Sequence, residues 1–185
     1  MEPPAPVSGP HAGAQLGHQQ KTSSELHHER LHRSRCYDHL LIAPLWVAYE
    51  ANFGTLARTT DAVGACLVLP RSKGAKTALS RGDPGRFRPH VHWVNSSHQW
   101  VAEQAARKDT HILGVELADG AIRLGDLPPA RQRTVVLLGH EHGGLPEEVW
   151  SLLEDVVEIP MIGLGASLNV AVAGSLVLYR LAGLS

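Results

Sequence analysis

A chain of 185 residues is one domain's length with room for an extension. Its 43% hydrophobic content excludes a disordered chain, its net charge of −1 excludes a global attraction to nucleic acid, and its two cysteines exclude a disulfide framework. A polyanionic partner would have to meet a local basic patch, and the sparse thiols fit a reducing compartment.

Residues 1–36 carry Pro3, Pro4, Pro6 and Pro10 among Gly and Gln, with almost no branched apolar side chains. Such a composition buries too little surface to offset ordering entropy, so a mobile arm is expected, with at most a short polar helix over Ser24–Arg35. No basic-then-apolar leader opens it, and a cytoplasmic protein is the expectation. Residues 37–185 form the expected domain. Apolar runs predict strands at Leu40–Val47, Cys66–Leu69, His90–Val94, His111–Leu117, Thr134–Leu138 and Val156–Ile159. Helical periodicity and capping residues predict helices at Asn52–Val63, Ser97–Lys108, Pro146–Leu153 and Ser167–Ala182. Asp119-Gly120 reads as a tight turn. The apolar stretch from Leu168 to Leu184 carries Asn169, Ser175 and Arg180 and falls short of the ~20 apolar residues of a bilayer span, so it is read as a buried helix with no membrane partner. Strands alternating with helices predict an α/β fold, a mostly parallel sheet with helices on both faces.

Three clusters stand where strands run into helices, the places where α/β sheets gather ligands. In the first, Asn52-Phe53-Gly54-Thr55-Leu56-Ala57-Arg58, Asn52 is a good helix cap and Arg58 follows nearly two turns later; alone it reads as a capped helix with a solvated arginine. In the second, Leu137 to Pro146, three glycines permit close backbone approach around Glu141. His140-Glu141-His142 within it lacks zincin helix spacing and a third ligand, so no metal is expected. In the third, Ile159-Pro160-Met161 leads through Gly163 and Gly165 to Ser167, read as the cap, and to Asn169, a polar residue opening an apolar helix that must be hydrogen-bonded to the chain or to a ligand.

Together the clusters resemble the three motifs of the SpoU (TrmH-like) branch of the SPOUT RNA methyltransferases. Asn52, Gly54 and Arg58 meet the first pattern. Gly139, Glu141, Gly144 and Leu145 meet the second. Ile159 to Met161, Gly163 and Ser167 to Val170 meet the third, which is the most specific. The likeness spans about Leu40 to Leu181. Glu50-Ala51 departs from it where many members have a proline, and Ala171 departs where a second serine is frequent.

The resemblance implies a C-terminal deep trefoil knot, one of the rare exceptions to unthreaded topology, and a homodimer. It implies S-adenosyl-L-methionine as cofactor, held by Leu138, Gly139, Gly144, Ile159, Met161, Gly163 and Leu168, and 2′-O-methylation of RNA ribose in tRNA or rRNA. Arg58 would stand at the attacking oxygen, oriented with the ribose by Asn52 and Glu141, while Ser167 and Asn169 order the loop beside the methyl group. An arginine is a poor base, so its expected role is to stabilise a developing alkoxide or hold a neighbouring phosphate.

RNA needs positive charge, and the segment after the second strand supplies it: Arg71, Lys73, Lys76, Arg81, Arg86 and Arg88 face Asp83 alone. This segment is read as a Gly/Pro-punctuated loop that contacts phosphates; no DNA partner is expected. Trp46, Trp93, Trp100 and Trp150 are read as core or dimer anchors rather than stacking platforms. The alternative function is a catalytically idle dimer of the same fold that binds RNA or cofactor without transferring methyl. A plain dinucleotide-binding domain is disfavoured because Asn52-Phe53-Gly54, and no G-x-G-x-x-G, follows the first strand.

Overall fold

The two runs Leu40–Ala43 and Cys66–Leu69, without charged or hydroxyl side chains, become strands buried on both faces, as the centre of a parallel sheet requires. In the computed structural model, which describes residues 38–82, 90–165 and 167–184, Leu40–Ala43 forms β1 and Cys66–Pro70 forms β2. Val91–Val94, Thr110–Val115 and Ile122–Arg123 form β3, β4 and β5. Arg133–Leu137 and Asp155–Glu158 form β6 and β7. The expected arm over residues 1–36, and with it the helix over 24–35, lies outside the described residues.

The strands lie in the order β3-β2-β1-β6-β4-β7-β5. Every registered pair is parallel, including Leu41 opposite Cys66 and Ala43 opposite Leu137. The expected mostly parallel sheet is therefore present. β1 is shorter than its apolar run suggests: Pro44 has no N–H to continue the ladder, and Leu45 and Val47 are buried in the loop beyond it instead.

Helices α1 (Asn52–Val63), α2 (Lys73–Gly82), α3 (Ser97–Ala105), α4 (Glu147–Trp150) and α5 (Val170–Leu181) cover both faces. Phe53 and Leu56 of α1, Ala75 of α2 and Val177 and Leu178 of α5 pack with Ile42, Leu67 and Val136 on one face. Val101 of α3 and Val149 of α4 pack with Leu41, Val68 and Val135 on the other. Helix α5 lies so close to the sheet that a Cβ on Gly174 would come within 2.8 Å of Ile42 and Leu138 side chains. Its glycine thus serves the core. The tryptophans are packing residues too: Trp93 lies against the first core, and Trp46 and Trp100 against the second. Trp150 donates its indole N–H to the Leu145 carbonyl at 3.2 Å.

Two sequence expectations are corrected here. The basic segment after β2 is helical over Lys73–Gly82, because Ser72 Oγ accepts the Ala75 N–H at 2.9 Å and the Ala75, Ala78 and Leu79 face packs on the core. Gly74 lies in the first turn of α2, where a Cβ would collide with the Glu50 carboxylate. Also, Asn52 does not cap α1 and Ser167 does not cap α5: Ala51 holds the first position without a side-chain bond, and Asn169 caps α5 through Oδ1, which accepts from Ala171 N at 2.9 Å and Val172 N at 3.3 Å. The Asp119-Gly120 turn forms as expected, with Gly120 at φ 79° and Ala121 N donating to the Ala118 carbonyl.

Candidate active site

The sheet's C-terminal edge is where β6 and β7 release the chain into Gly- and Pro-rich loops, and a cavity of about 480 Å³ opens there. Its walls come from four strand ends: Val115 at the end of β4 and Glu116 after it, Arg123 of β5, Leu138 and Gly139 after β6, and Val157 to Met161 from β7 onward. Ser167, Leu168 and Ala173 close it from the α5 side. The ladder needs the backbone at Gly139 to approach the Gly144 strandlet closely. His140 N donates to the Gly144 carbonyl at 2.9 Å and Gly144 N returns the bond at 2.8 Å, so a Cβ on Gly139 would fall 2.3 Å from the Gly144 carbonyl carbon. Gly144 holds φ 66°, a conformation that favours glycine.

Beside the cavity, one polar relay ties the three sequence clusters together. Asn169 Nδ2 donates to Asn52 Oδ1 at 3.0 Å, and Asn52 Nδ2 donates to Glu141 Oε1 at 3.0 Å. Glu141 also accepts the backbone N–H groups of Ala48 at 2.8 Å and Tyr49 at 3.3 Å. Burial pushes the Glu141 carboxyl up, but the N–H groups of Ala48, Glu141 itself and Tyr49 and the Asn52 amide outweigh it and hold the pKa below the usual carboxylate range. Glu141 is thus an anion that fixes the loop between β1 and α1.

Of the residues singled out from sequence, Asn52, Glu141 and Asn169 meet in this relay. Leu138, Gly139, Ile159, Met161, Ser167 and Leu168 line the cavity, as does Glu141. Gly144 shapes the loop without lining it. Gly163 lies outside the lining, between Ile162 and Leu164, which are fully exposed, and a Cβ there would meet nothing within 4 Å. Arg58 is exposed on α1 and is not part of the cavity lining. Arg71 donates to Asn95 Oδ1 at 3.1 Å, and Lys73 and Lys76 are exposed on α2, which also contains Arg81. Arg86 and Arg88 lie outside the described residues.

Glu116 was missed by the sequence reading. It is half-buried in the cavity wall, its Oε1 accepts the Leu145 N–H at 2.8 Å, and burial raises its pKa despite that bond. A carboxylate one residue past an apolar strand was the available signal, since strand C-termini face the ligand edge. Arg123 pairs with Glu158 at 3.4 Å at the cavity rim, from a two-residue strand too short to carry a pattern.

The chain is similar to proteins of a known family. A family model, the SpoU rRNA Methylase family, matches residues 40–179. The tRNA (guanosine(18)-2′-O)-methyltransferase of Escherichia coli K12 is 31% identical over 136 residues, covering 70% of this chain and 56% of that protein; the chain thus spans little more than half of this relative. The SpoU methyltransferase AviRb of Streptomyces viridochromogenes, solved with AdoMet, is 25% identical with a TM-score of 0.61, covering 83% of this chain and 63% of that one. A protein solved for insight into 2-OH methylation of C/U34 on tRNA is 27% identical with a TM-score of 0.62, covering 80% of this chain and 97% of that one.

Proposed function

This chain belongs to the SpoU rRNA methylase family, and from that premise we propose that it is an S-adenosylmethionine-dependent RNA 2′-O-ribose methyltransferase acting on tRNA. The observation that carries the reading is the relay from Asn169 through Asn52 to Glu141, which unites all three family motifs at the rim of one cavity. Relatives named for 2′-O-methylation of tRNA support the substrate class, and such a substrate implies work in the cytoplasm.

The cavity fits the cofactor: about 480 Å³ lies within the usual size for a ligand of that class, and the Gly139 backbone is approachable because no Cβ intervenes. When bound, the cofactor supplies a methyl group on a sulfonium, already a good leaving group. The protein's task is then to align a ribose oxygen and receive its developing charge. In this reading Leu138, Gly139, Ile159, Met161 and Leu168 hold the cofactor, with Gly144 and Gly163 shaping the loops. Asn52 and Glu141 keep the first helix and second loop in register, Ser167 and Asn169 order the entry to α5, and Arg58 faces the attacking oxygen or its phosphate. The chain from β7 through Ser167 into α5 is read as the C-terminal trefoil knot.

Arg58 reaches its task in a homodimer. Val172, Leu176 and Tyr179 recur at one-turn spacing on α5 and are 39–46% exposed, and Ile162 and Leu164 of the loop before it are fully exposed. A second copy of the chain is the proposed cover. Because α1 is fastened to α5 by Thr59 Oγ1 and Ser175 Oγ at 2.7 Å, such a cover also bounds the exposed side of α1. Arg71, Lys73, Lys76 and Arg81, with Arg86 and Arg88, form the proposed phosphate-contacting segment, and residues 1–36 an appended arm.

Transfer of labelled methyl from S-adenosylmethionine to total tRNA and rRNA, followed by mapping of ribose methylation, tests the reading. Methylation of a tRNA that is lost when the mapped nucleotide carries a 2′-deoxyribose is expected. Cofactor and RNA binding with no transfer to any 2′-hydroxyl would establish the idle dimer instead.

A further inference from the structure

We propose that Cys66, His90 and His92 form a binding site for a zinc-class divalent cation that clips the edge strand β3 to β2, at the end of the sheet opposite the cavity. Parallel pairing creates the cluster. Leu67 stands opposite Val91 and Val68 opposite His92, while Leu67 N donates to the His90 carbonyl at 3.0 Å. Cys66 and His90 are therefore neighbours one residue before that register, and His92, two residues along, returns to the same face. One donor atom from each of the three lies within 4.8 Å of the other two.

The donor chemistry and spacing suit tetrahedral zinc. A thiolate and two imidazoles are borderline-soft ligands. Metal–nitrogen bonds of about 2.0–2.1 Å in a tetrahedron set the two nitrogens roughly 3.3 Å apart. Here His90 Nδ1 and His92 Nε2 are 3.2 Å apart, with the rings edge to face. The thiol closes on them from the protein side, since Cys66 is 2% exposed, while His90 is exposed and leaves an entry path. Asp38 Oδ1 lies 3.8 Å from the same His92 nitrogen and adds a carboxylate beside the cluster, tempered by Arg133, which binds Asp38 at 3.3 Å. Water or this carboxylate completes the fourth position. On binding, the Cys66 thiol loses its proton to solvent and sulfur takes a bond to the metal.

The position gives the ion a purpose. β3 is at the sheet's edge, where strands are easily frayed or extended by another chain. A cross-strand ion would also close the unit β2–α2–β3 that presents Lys73 and Lys76. This inference is independent of the methyltransferase reading.

The test uses the full chain, purified without an added histidine tag, stripped with chelator and titrated with cobalt(II), then zinc. One cobalt per chain is expected, with a near-ultraviolet sulfur-to-metal charge-transfer band that zinc abolishes. Cys66→Ser should lose the band, and Cys36→Ser should keep it. Should Cys66→Ser fail to fold, His90→Ala, changed at an exposed position, decides: cobalt affinity should fall about tenfold or more, and zinc should no longer raise the unfolding temperature. A band that survives Cys66→Ser, no thiolate band at saturating cobalt, or equal zinc stabilisation of wild type and His90→Ala would each overturn the site and leave a proton-sharing histidine pair.

Discussion

The side-chain amide of Asn169 donates to the side-chain oxygen of Asn52 across 3.0 Å, joining the residue that caps the last helix to the first residue of the first helix. Both ends of each asparagine are used. Asn169 spends its oxygen on the Ala171 and Val172 N–H groups and its nitrogen on Asn52; Asn52 passes its own nitrogen to Glu141.

That division of labour separates two substitutions at one position. Asn169→Ala removes the cap and the link, and should lower unfolding free energy by about 1 kcal/mol in urea titration. Asn169→Asp keeps the capping oxygen and favours the helix N-terminus, so stability should be nearly retained. It also sets a carboxylate against Asn52 Oδ1, and methyl transfer should fall as far as with Asn169→Ala. If activity instead followed stability, the relay would be no more than a cap.

Glu141 makes a pH-dependent contribution of defined sign. Its folded pKa is depressed, so its stabilisation is present above the unfolded value, ordinarily 4.5, and disappears as pH falls through the folded one. The unfolding temperature of wild type should exceed that of Glu141→Gln at neutral pH, and the gap should close in acid. A gap unchanged at pH 3 would mean that the carboxylate's charge is irrelevant.

Glu116 has the opposite sign. Burial raises its pKa, so a penalty sets in as pH rises past the unfolded value and is complete above the folded one. Glu116→Gln retains an oxygen for the Leu145 N–H. The variant should unfold at a higher temperature than wild type at pH 8 and at the same temperature at pH 3. Destabilisation at pH 8 would show that the charge is satisfied where it stands.

Two glycines of the proposed cofactor loops should behave unlike each other. At Gly139 a Cβ would meet backbone, with Leu145 N at 2.4 Å as well as the Gly144 carbonyl, and neither atom can swing aside. Gly139→Ala should displace the loop and abolish S-adenosylmethionine binding in calorimetry. Gly163→Ala, built into open space, should bind as wild type does. Equal losses at both positions would place Gly163 against the ligand.

How much of this was legible beforehand depends on whether the signal is local. Helix α1 falls on its predicted residues, because the apolar spacing of Phe53, Leu56 and Ala57 is local and Gly64, at φ 73°, ends it. The parallel sheet follows from the alternation of strands and helices. Helix α2 was hidden by its glycines and by the Ser72 cap; Glu50, which accepts from Ser72 Oγ at 2.8 Å, lies 22 residues earlier. The relay was hidden for the same reason. Asn52 reads as a cap and Asn169 as a polar residue in need of a partner, and only the fold reveals that Asn169 takes the capping role from Ser167 and binds Asn52, 117 residues away. Glu116 belongs to no motif, and its one signal, a carboxylate just past an apolar strand, gains meaning only when the strand ends are assembled.

A substitution at Arg58 would distinguish an enzyme from a binding protein. The residue is exposed on α1 and outside the cavity wall, so its proposed action on the 2′-oxygen needs RNA and a second protomer in place. Arg58→Ala should then leave cofactor affinity nearly unchanged, since Arg58 does not line the cavity. Methyl transfer should slow by about two to three orders of magnitude, the consequence of losing ~3–4 kcal/mol of transition-state stabilisation. Arg58→Lys should restore little of it, because an ammonium cannot reproduce a planar, two-pronged donor. Single-turnover transfer with saturating RNA separates this from weakened RNA binding. A variant rate equal to wild type would make Arg58 a surface residue of the first helix and return the catalytic assignment to the relay alone.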